Sequence, residues 1–295
     1  MNEIRFDALL PQEMATRAEY LGVRKAEMPF LKTFMLSVLA GAFIALGSIF
    51  ATTVSAGSMA ITSADGAAAF NTGLPYGVVR LLSGLVFSLG LILVVVGGAE
   101  LFTGNTLIVM AWASGKISGL SVLRNWTIVY IGNFIGATGT AVLMFFTKQY
   151  MFGSNAIGIA ALRTAVAKSD FTFIQAVALG ILGNALVCMA VWMTFSARST
   201  TDKILAIIFP ITAFVAAGFE HSVANMYFIP FALFIKVFDP IFIQTVAGKV
   251  PGLENLTWQA FFFGNLLPVT IGNIIGGAVL VAAVYWVTFL RTSET

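Results

Sequence analysis

Charge is scarce in this chain: Asp, Glu, Lys and Arg make up 10% of its 295 residues, whereas 59% are hydrophobic. A water-soluble domain carries about 25% charge, so these residues cannot cover a surface that faces water. With a mean hydropathy of +0.94, the composition specifies a multi-pass membrane protein. Cysteine is nearly missing. Cys188 is the only one, which excludes an intrachain disulfide, and its apolar neighbours give it the reading of a buried thiol. Histidine is equally rare, with His221 alone, and one His with one Cys is too few to ligate a haem or a metal. No cofactor is expected. A net charge of +3 is too mild to suggest a nucleic-acid partner. The first residues carry Glu3, Arg5, Asp7 and Glu13 ahead of any apolar run, unlike a cleavable signal peptide.

Long uncharged runs are what the chain has instead. Six regions exceed the roughly 20 residues needed to span a bilayer: 33–64, 81–115 with a break at Glu100, 125–147, 171–197, 204–235 with a break at Glu220 and His221, and 255–290. With the N-terminus inside, ten Lys and Arg fall on the inner side and six on the outer side, which places both termini in the cytoplasm. Residues 1–30 read as a cytoplasmic amphipathic segment, 31–291 as the transmembrane domain and 292–295 as a cytoplasmic tail. Pro11 suits a first helical turn, and the pattern over 11–26 favours an interfacial anchor over a plug at a pore mouth.

The two breaks match. Gly98-Ala-Glu100-Leu-Phe-Thr103-Gly-Asn105 and Gly218-Phe-Glu220-His221-Ser-Val-Ala-Asn225 share Gly-x-Glu-x-x-x-(Gly/Ala)-Asn, 120 positions apart. Ile131-Gly-Asn133-Phe-Ile-Gly136 recurs as Ile271-Gly-Asn273-Ile-Ile-Gly276, and Phe34, Val38 and Gly41 pair with Phe173, Val177 and Gly180. Spans one to three therefore repeat as four to six. Three is odd, so the second copy is inverted in the membrane, an architecture that forms a path at the midplane between interrupted helices. The glycines spaced as GxxxG suit close helix packing. Asn133 and Asn273 suit structural bonds across helices or at a broken helix end.

Ionisable groups inside spans are costly to place and mark function by default. Glu100 and Glu220 are expected to accept hydrogen bonds from loop N–H groups and pin the breaks, ahead of any contact with substrate. Half-helices are expected to begin near Asn105 and Asn225. In an inverted pair both helix N-termini face the centre, each with about half a positive charge, which makes a site for a small anion. His221 beside a buried glutamate at a repeat break favours a functional role over a structural one, as a donor to an anion or as a proton exchanger with a weak acid. Thr103 at the other break offers a hydroxyl. Phe87, Leu91, Leu101, Phe102, Val187 and Phe214 fit ordinary core packing, or dry collars around a polar centre.

On the stretches GAELFTGNTLIV (98–109), GILGNALVCMAVW (180–192), GFEHSVANMYFIP (218–230) and LPVTIGNIIGG (267–277), the chain resembles the formate/nitrite transporter family, most closely its formate channels. The resemblance covers nearly the whole chain. It implies an aquaporin-like all-α fold, a homopentamer with one pore per protomer, and residence in a bacterial inner membrane. It implies that Thr103, His221 and Asn184 line a central chamber and that Lys168 adds positive field. It also implies constrictions at Phe87 and Phe214 outside and at Leu91, Leu101, Phe102 and Val187 inside, with the Thr103 loop and the N-terminal segment taking part in gating. The expected substrate is formate or a similar small monovalent anion. Nitrite or hydrosulfide is the alternative within the family. A neutral-solute channel lacks its Asn-Pro-Ala motif here, and an intramembrane serine protease lacks Gly-x-Ser-Gly. A proton-coupled carrier would use the same residues as a channel.

Overall fold

The computed structural model describes residues 8–56, 61–62, 68–70 and 74–291. The tail at 292–295, residues 1–7 of the N-terminal segment, and residues 57–60 and 63–64 of the first expected span lie outside the described residues. In chain order the helices are α1 (Pro11–Ala26), α2 (Phe30–Ala56), α3 (Tyr76–Gly97), α4 (Phe102–Asn105), α5 (Val109–Ala113), α6 (Gly119–Thr147), α7 (Ala156–Ser169), α8 (Phe173–Thr194), α9 (Thr200–Ala216), α10 (Ser222–Phe238), α11 (Pro240–Thr245), α12 (Leu267–Ile274) and α13 (Val284–Phe289). A 3₁₀ turn at Thr106–Ile108 joins α4 to α5, and wider π turns at Ala260–Leu266 and Ile275–Ala283 flank α12. A short antiparallel pair, Ile61–Thr62 with Ala68–Phe70, lies between α2 and α3.

Five of these helical stretches are long and apolar enough to cross a membrane: α2, α3, α6, α8 and the continuous run Ala260–Phe289. Shorter apolar helices, Phe102–Ala113 and Ser222–Phe238, follow the two breaks. Local chemistry sets the boundaries. Ser118, Thr172 and Ser199 accept the first free N–H groups of α6, α8 and α9, as N-caps do. Pro268 has no N–H to offer the turn before it, and there the backbone widens into the first π segment.

Close approach between paired helices depends on glycine. A Cβ at Gly136 would overlap the Val38 carbonyl, and one at Gly276 the Ile181 carbonyl. The obstacle is backbone, which has no rotamer to change. Gly136→Ala and Gly276→Ala are each expected to lower stability by about 1–3 kcal/mol or more. Thermal unfolding of the detergent-solubilised protein checks this, and an unchanged Tm for both would show that the helices can part freely.

Two elements differ from the sequence-based expectation. A helix, α7, occupies part of the loop between the two halves, and its Ile157, Ile159 and Leu162 are buried. The α1 helix does not read as a bilayer anchor. Its Met14, Ala15, Ala18 and Gly22 are buried against a cluster that includes Leu107, Met110 and Trp192. Burial against the protein's own helices replaces burial in lipid. Deleting residues 1–26 is expected to leave the spanning helices folded and to change how flux depends on pH. Flux measured across a pH series in truncated and full-length protein decides this, and identical profiles would reduce α1 to a packing element.

Candidate functional site

Each break is a glycine-ended helix followed by a short extended segment. Gly98 (φ 72°) terminates α3 and Gly218 (φ 78°) follows α9, in the left-handed region that favours glycine. Leu101 (φ −107°, ψ 126°) and His221 (φ −134°, ψ 115°) are extended. An extended backbone inside a bilayer must have its polar groups satisfied by protein, and the same wiring does so twice. Glu100 N–H donates to the Leu36 carbonyl at 3.2 Å and Glu220 N–H to the Leu179 carbonyl at 3.2 Å. Asn133 donates from Nδ2 to the carbonyls of Ser37 (2.8 Å) and Glu100 (2.9 Å), and its Oδ1 accepts Phe102 N–H (2.9 Å). Asn273 donates to the carbonyls of Gly180 (2.8 Å) and Glu220 (3.0 Å) and accepts Ser222 N–H (2.9 Å).

This geometry corrects two expectations. The N–H groups at the breaks go to backbone carbonyls of α2 and α8 and to asparagines on α6 and α12, not to the glutamate side chains. The half-helices begin at Phe102 and Ser222, three residues before Asn105 and Asn225. The wiring also fixes the repeat register. Leu36 matches Leu179 and Ser37 matches Gly180, an offset of 143, so the Phe-Val-Gly pairing with an offset of 139 is one turn out of step. A shift of four residues keeps the same helix face, which is why the sequence pattern alone does not detect it.

The glutamate carboxylates enter a second duplicated network. Glu100 is bonded by Lys25 Nζ (2.7 Å) and Asn105 Nδ2 (2.7 Å). Asn105 Nδ2 also donates to Asn125 Oδ1 (2.9 Å), and Asn125 Nδ2 returns to the Lys25 carbonyl (3.1 Å). On the other side Lys168 Nζ meets Glu220 at 2.6 Å, Asn225 Nδ2 donates to Glu220 (2.7 Å) and Asn265 (2.7 Å), and Asn265 returns to the Lys168 carbonyl (2.8 Å). Lys25, Asn125 and Asn265 are members that the sequence reading passed over. A signal was present: both asparagines stand eight residues before Asn133 and Asn273. By the same offset of 143, α7 is the counterpart of α1, and each carries the lysine of its network in its last turn. The networks differ in two contacts. Asn265 Nδ2 also reaches Glu220 at 3.4 Å, a bond without a counterpart from Asn125 among the described residues. Lys25 also bonds Asn105 Oδ1 at 2.9 Å, whereas Asn225 Oδ1 has no partner among the described residues.

At the centre the repeat symmetry ends. Thr103 Oγ1 and His221 Nε2 are 2.8 Å apart. Both residues are buried, at 0% and 3% exposure, so the contact is shielded from bulk water. Thr103 corresponds to Val223 and His221 to Leu101 by the offset of 120, so the two polar groups are not repeat equivalents. Their roles can be assigned from the neighbouring bond. Ala224 N–H donates to His221 Nδ1 at 3.1 Å, which requires a lone pair on Nδ1. The neutral imidazole then carries its proton on Nε2 and donates it to Thr103 Oγ1. That leaves the threonine hydroxyl's own proton free for a ligand. The Thr103 carbonyl is held by Thr106 Oγ1 (2.6 Å), Asn184 Nδ2 (3.2 Å) and Cys188 Sγ (3.4 Å). Asn184 Nδ2 also reaches the Asn273 carbonyl at 2.6 Å, joining the centre to the second break.

Two cavities approach this centre. The one beneath α1, of about 290 Å³, is lined by Leu91, Leu101, Arg17, Lys25 and Glu100 among others. The one beside α7, of about 460 Å³, includes Phe87, Phe214, Arg80, Lys168, Glu220 and His221. The rings of Phe87 and Phe214 lie 6.0 Å apart. Of the residues grouped as collars, Phe87, Leu91, Leu101 and Phe214 line these cavities, whereas Phe102 and Val187 line neither. The Phe102 ring stands edge-on to Tyr130 (4.9 Å) and Trp126 (6.0 Å), on the far side of α4.

The chain matches the model of the formate/nitrite transporter family over residues 12–287. It belongs to that family. Among curated members it is 45% identical to a protein named formate channel FocA of Escherichia coli (strain K12), over 98% of this chain and 97% of that one. It is 42% identical to formate channel FocA of Haemophilus influenzae, over 93% and 92% of the two chains. Among solved structures it superposes on a pentameric formate channel with formate bound, with a TM-score of 0.79 and 44% identity, covering 89% of this chain and 98% of that one. A further family member, described as an ion channel, gives a TM-score of 0.74 at 27% identity. Apart from the short antiparallel pair, the architecture is helical and is that of the family's channels, and membership places the chain in a family of transport proteins.

Proposed function

We propose that this protein is a channel moving formate, and related small monovalent anions, across a bacterial inner membrane. The observation that carries the reading is the Thr103–His221 contact. It lies at the N-terminal ends of the two half-helices, between two cavities whose approaches are apolar. Positive helix ends and a hydroxyl proton left free by the histidine bond suit a small carboxylate. The duplicated wiring supports two inverted repeats of three spans each, with both termini cytoplasmic and the α1 cavity facing inward. On this topology Leu91 and Leu101 form the inner collar, and Phe87 and Phe214 the outer one. Lys25 and Lys168 neutralise Glu100 and Glu220, so neither cavity presents an unpaired carboxylate to an incoming anion. The named relatives and the pentameric neighbour support formate as substrate and a homopentamer as the assembly.

Proteoliposomes holding the full chain, assayed in parallel with formate, nitrite, hydrosulfide and glycerol, test this reading. Formate flux is expected to be the fastest and glycerol flux to equal that of empty liposomes. Glycerol flux without formate flux overturns the proposal. Nitrite or hydrosulfide faster than formate reassigns the substrate within the family.

A further inference from the structure

The flank between α6 and α12 carries a groove of about 860 Å³ that the proposed path does not use. Trp126, Tyr130 and Phe134 form one wall, Phe262, Leu266 and Ile274 the other, and Phe102 lies at its floor. No charged residue lines it, and its inner hydroxyls are occupied. Tyr130 Oη bonds Thr270 Oγ1 at 2.9 Å, and Thr270 donates to the Leu266 carbonyl at 2.6 Å. Thr127 adds a hydroxyl at the exposed rim. A polar ligand seated deeper would lose its hydration without replacement, so the groove selects an apolar occupant.

Depth selects which apolar occupant. Tyr130 and Thr270 are repeat equivalents, 140 positions apart like Asn133 and Asn273. Equivalent residues that touch each other lie on the axis relating the two repeats. In the inverted topology proposed above, on which this step rests, that axis runs within the membrane at mid-depth. The surroundings at that depth are lipid hydrocarbon, and the groove's outer lip is exposed, with Ile131 at 49% and Phe263 at 68%.

The floor connects the groove to the pore. Phe102 lies between Leu101, which lines the α1-side cavity, and Thr103, which bonds His221. Its ring stands edge-on to Tyr130 and Trp126 on the groove side, and the residue is 3% exposed. Trp126 in turn donates from Nε1 to the Asn105 carbonyl at 3.0 Å, one turn along the same half-helix. We propose that the groove is a binding site for an acyl chain of a bilayer lipid, and that the seated chain holds Phe102 and so fixes the position of Leu101 and Thr103.

The test uses the full chain in liposomes containing a phosphatidylcholine with a photoreactive diazirine in mid-chain, with adducts mapped by mass spectrometry. Adducts at Ile131, Phe134 and Phe262 are expected to exceed those at Leu143 and Phe146, which are exposed outside the groove, by about tenfold, equivalent to about 1.4 kcal/mol of preferential occupancy. Equal labelling across the lipid-facing surface removes the site. Absence of adducts in the groove shows that a second copy of the chain covers it, and overturns the proposal. Ile131→Trp, at an exposed position that tolerates bulk, fills the groove. It is expected to suppress the groove adducts and to change formate flux at least threefold, roughly 0.7 kcal/mol. Suppressed adducts with unchanged flux overturn the coupling to the pore. Labelling does not depend on transport, so a failure of the formate assignment leaves this result readable.

Discussion

Glu220→Ala is expected to abolish accumulation of the folded protein, while Glu220→Gln leaves some of it. The carboxylate is 2% exposed as a residue and joins Lys168, Asn225 and Asn265 around the extended segment that carries His221. Truncation strands the Lys168 ammonium, whose side chain is only 16% exposed, and leaves Asn225 Nδ2 one acceptor fewer. Breaking a buried pair by removing one partner costs about 3–5 kcal/mol, comparable to much of the stability of an ordinary domain. Glutamine keeps one acceptor oxygen, enough for Asn225 or for Lys168 but not both, and loses the charge. The equivalent change in the first repeat, Glu100→Ala, is expected to cost less, because the Lys25 side chain is 30% exposed and can reach water. The double change Lys168→Met/Glu220→Gln removes both charges and is expected to recover yield over Glu220→Ala. Fluorescence-detected size-exclusion of tagged variants measures all four. Normal yield for Glu220→Ala together with altered ion selectivity would show that the carboxylate acts on the substrate and not on the scaffold.

Much of this architecture was legible in the sequence because membranes leave few choices. Apolar runs located the five helical stretches long enough to span, whereas the expected span 204–235 is divided into α9 and α10, and the matched Gly-x-Glu motifs located both breaks to within three residues. His221 and Thr103 stood out because a polar residue in hydrocarbon needs a reason. What escaped the reading has a common cause. Lys25 was counted only as a loop charge, and its bond to Glu100 depends on α1 folding back over the cavity, which no periodicity reports. Asn125 and Asn265 sit inside spans, where an uncharged amide does not interrupt an apolar run. The glutamates were assigned loop N–H groups because a carboxylate is the stronger acceptor. The structure uses asparagine there, which alone can accept one N–H and donate to two carbonyls at once. Helix α7 was hidden by its loop position and its mixed composition, though its match to α1 at an offset of 143 is present in the sequence. Phe102 illustrates the opposite error: an aromatic next to pore residues turned out to face away from both cavities.

His221→Asn is expected to keep formate anion flux and to abolish uptake driven by a proton gradient. The neutral imidazole, with Nδ1 taken by Ala224 N–H and the proton on Nε2, is a hydrogen-bond donor. To deliver a proton to formate it must first become imidazolium, with hydrogens on both nitrogens. That form cannot accept from Ala224, so protonation of His221 and loss of the α10 N-cap are one event. A lost cap costs about 0.5–2 kcal/mol, small enough to be met during a transport cycle. Stripping water from the charged anion between Phe87, Leu91, Leu101 and Phe214 is costly, and neutral formic acid avoids it. Asparagine separates these functions, since it is among the best N-caps, retains an N–H donor towards Thr103, and does not titrate. His221→Ala removes cap and donor together and is expected to reduce both kinds of transport. The measurement is formate accumulation in proteoliposomes under an imposed pH gradient, set beside formate current at symmetrical pH. Undiminished gradient-driven accumulation in His221→Asn would end the proton-exchange mechanism and leave His221 as the residue that orients Thr103.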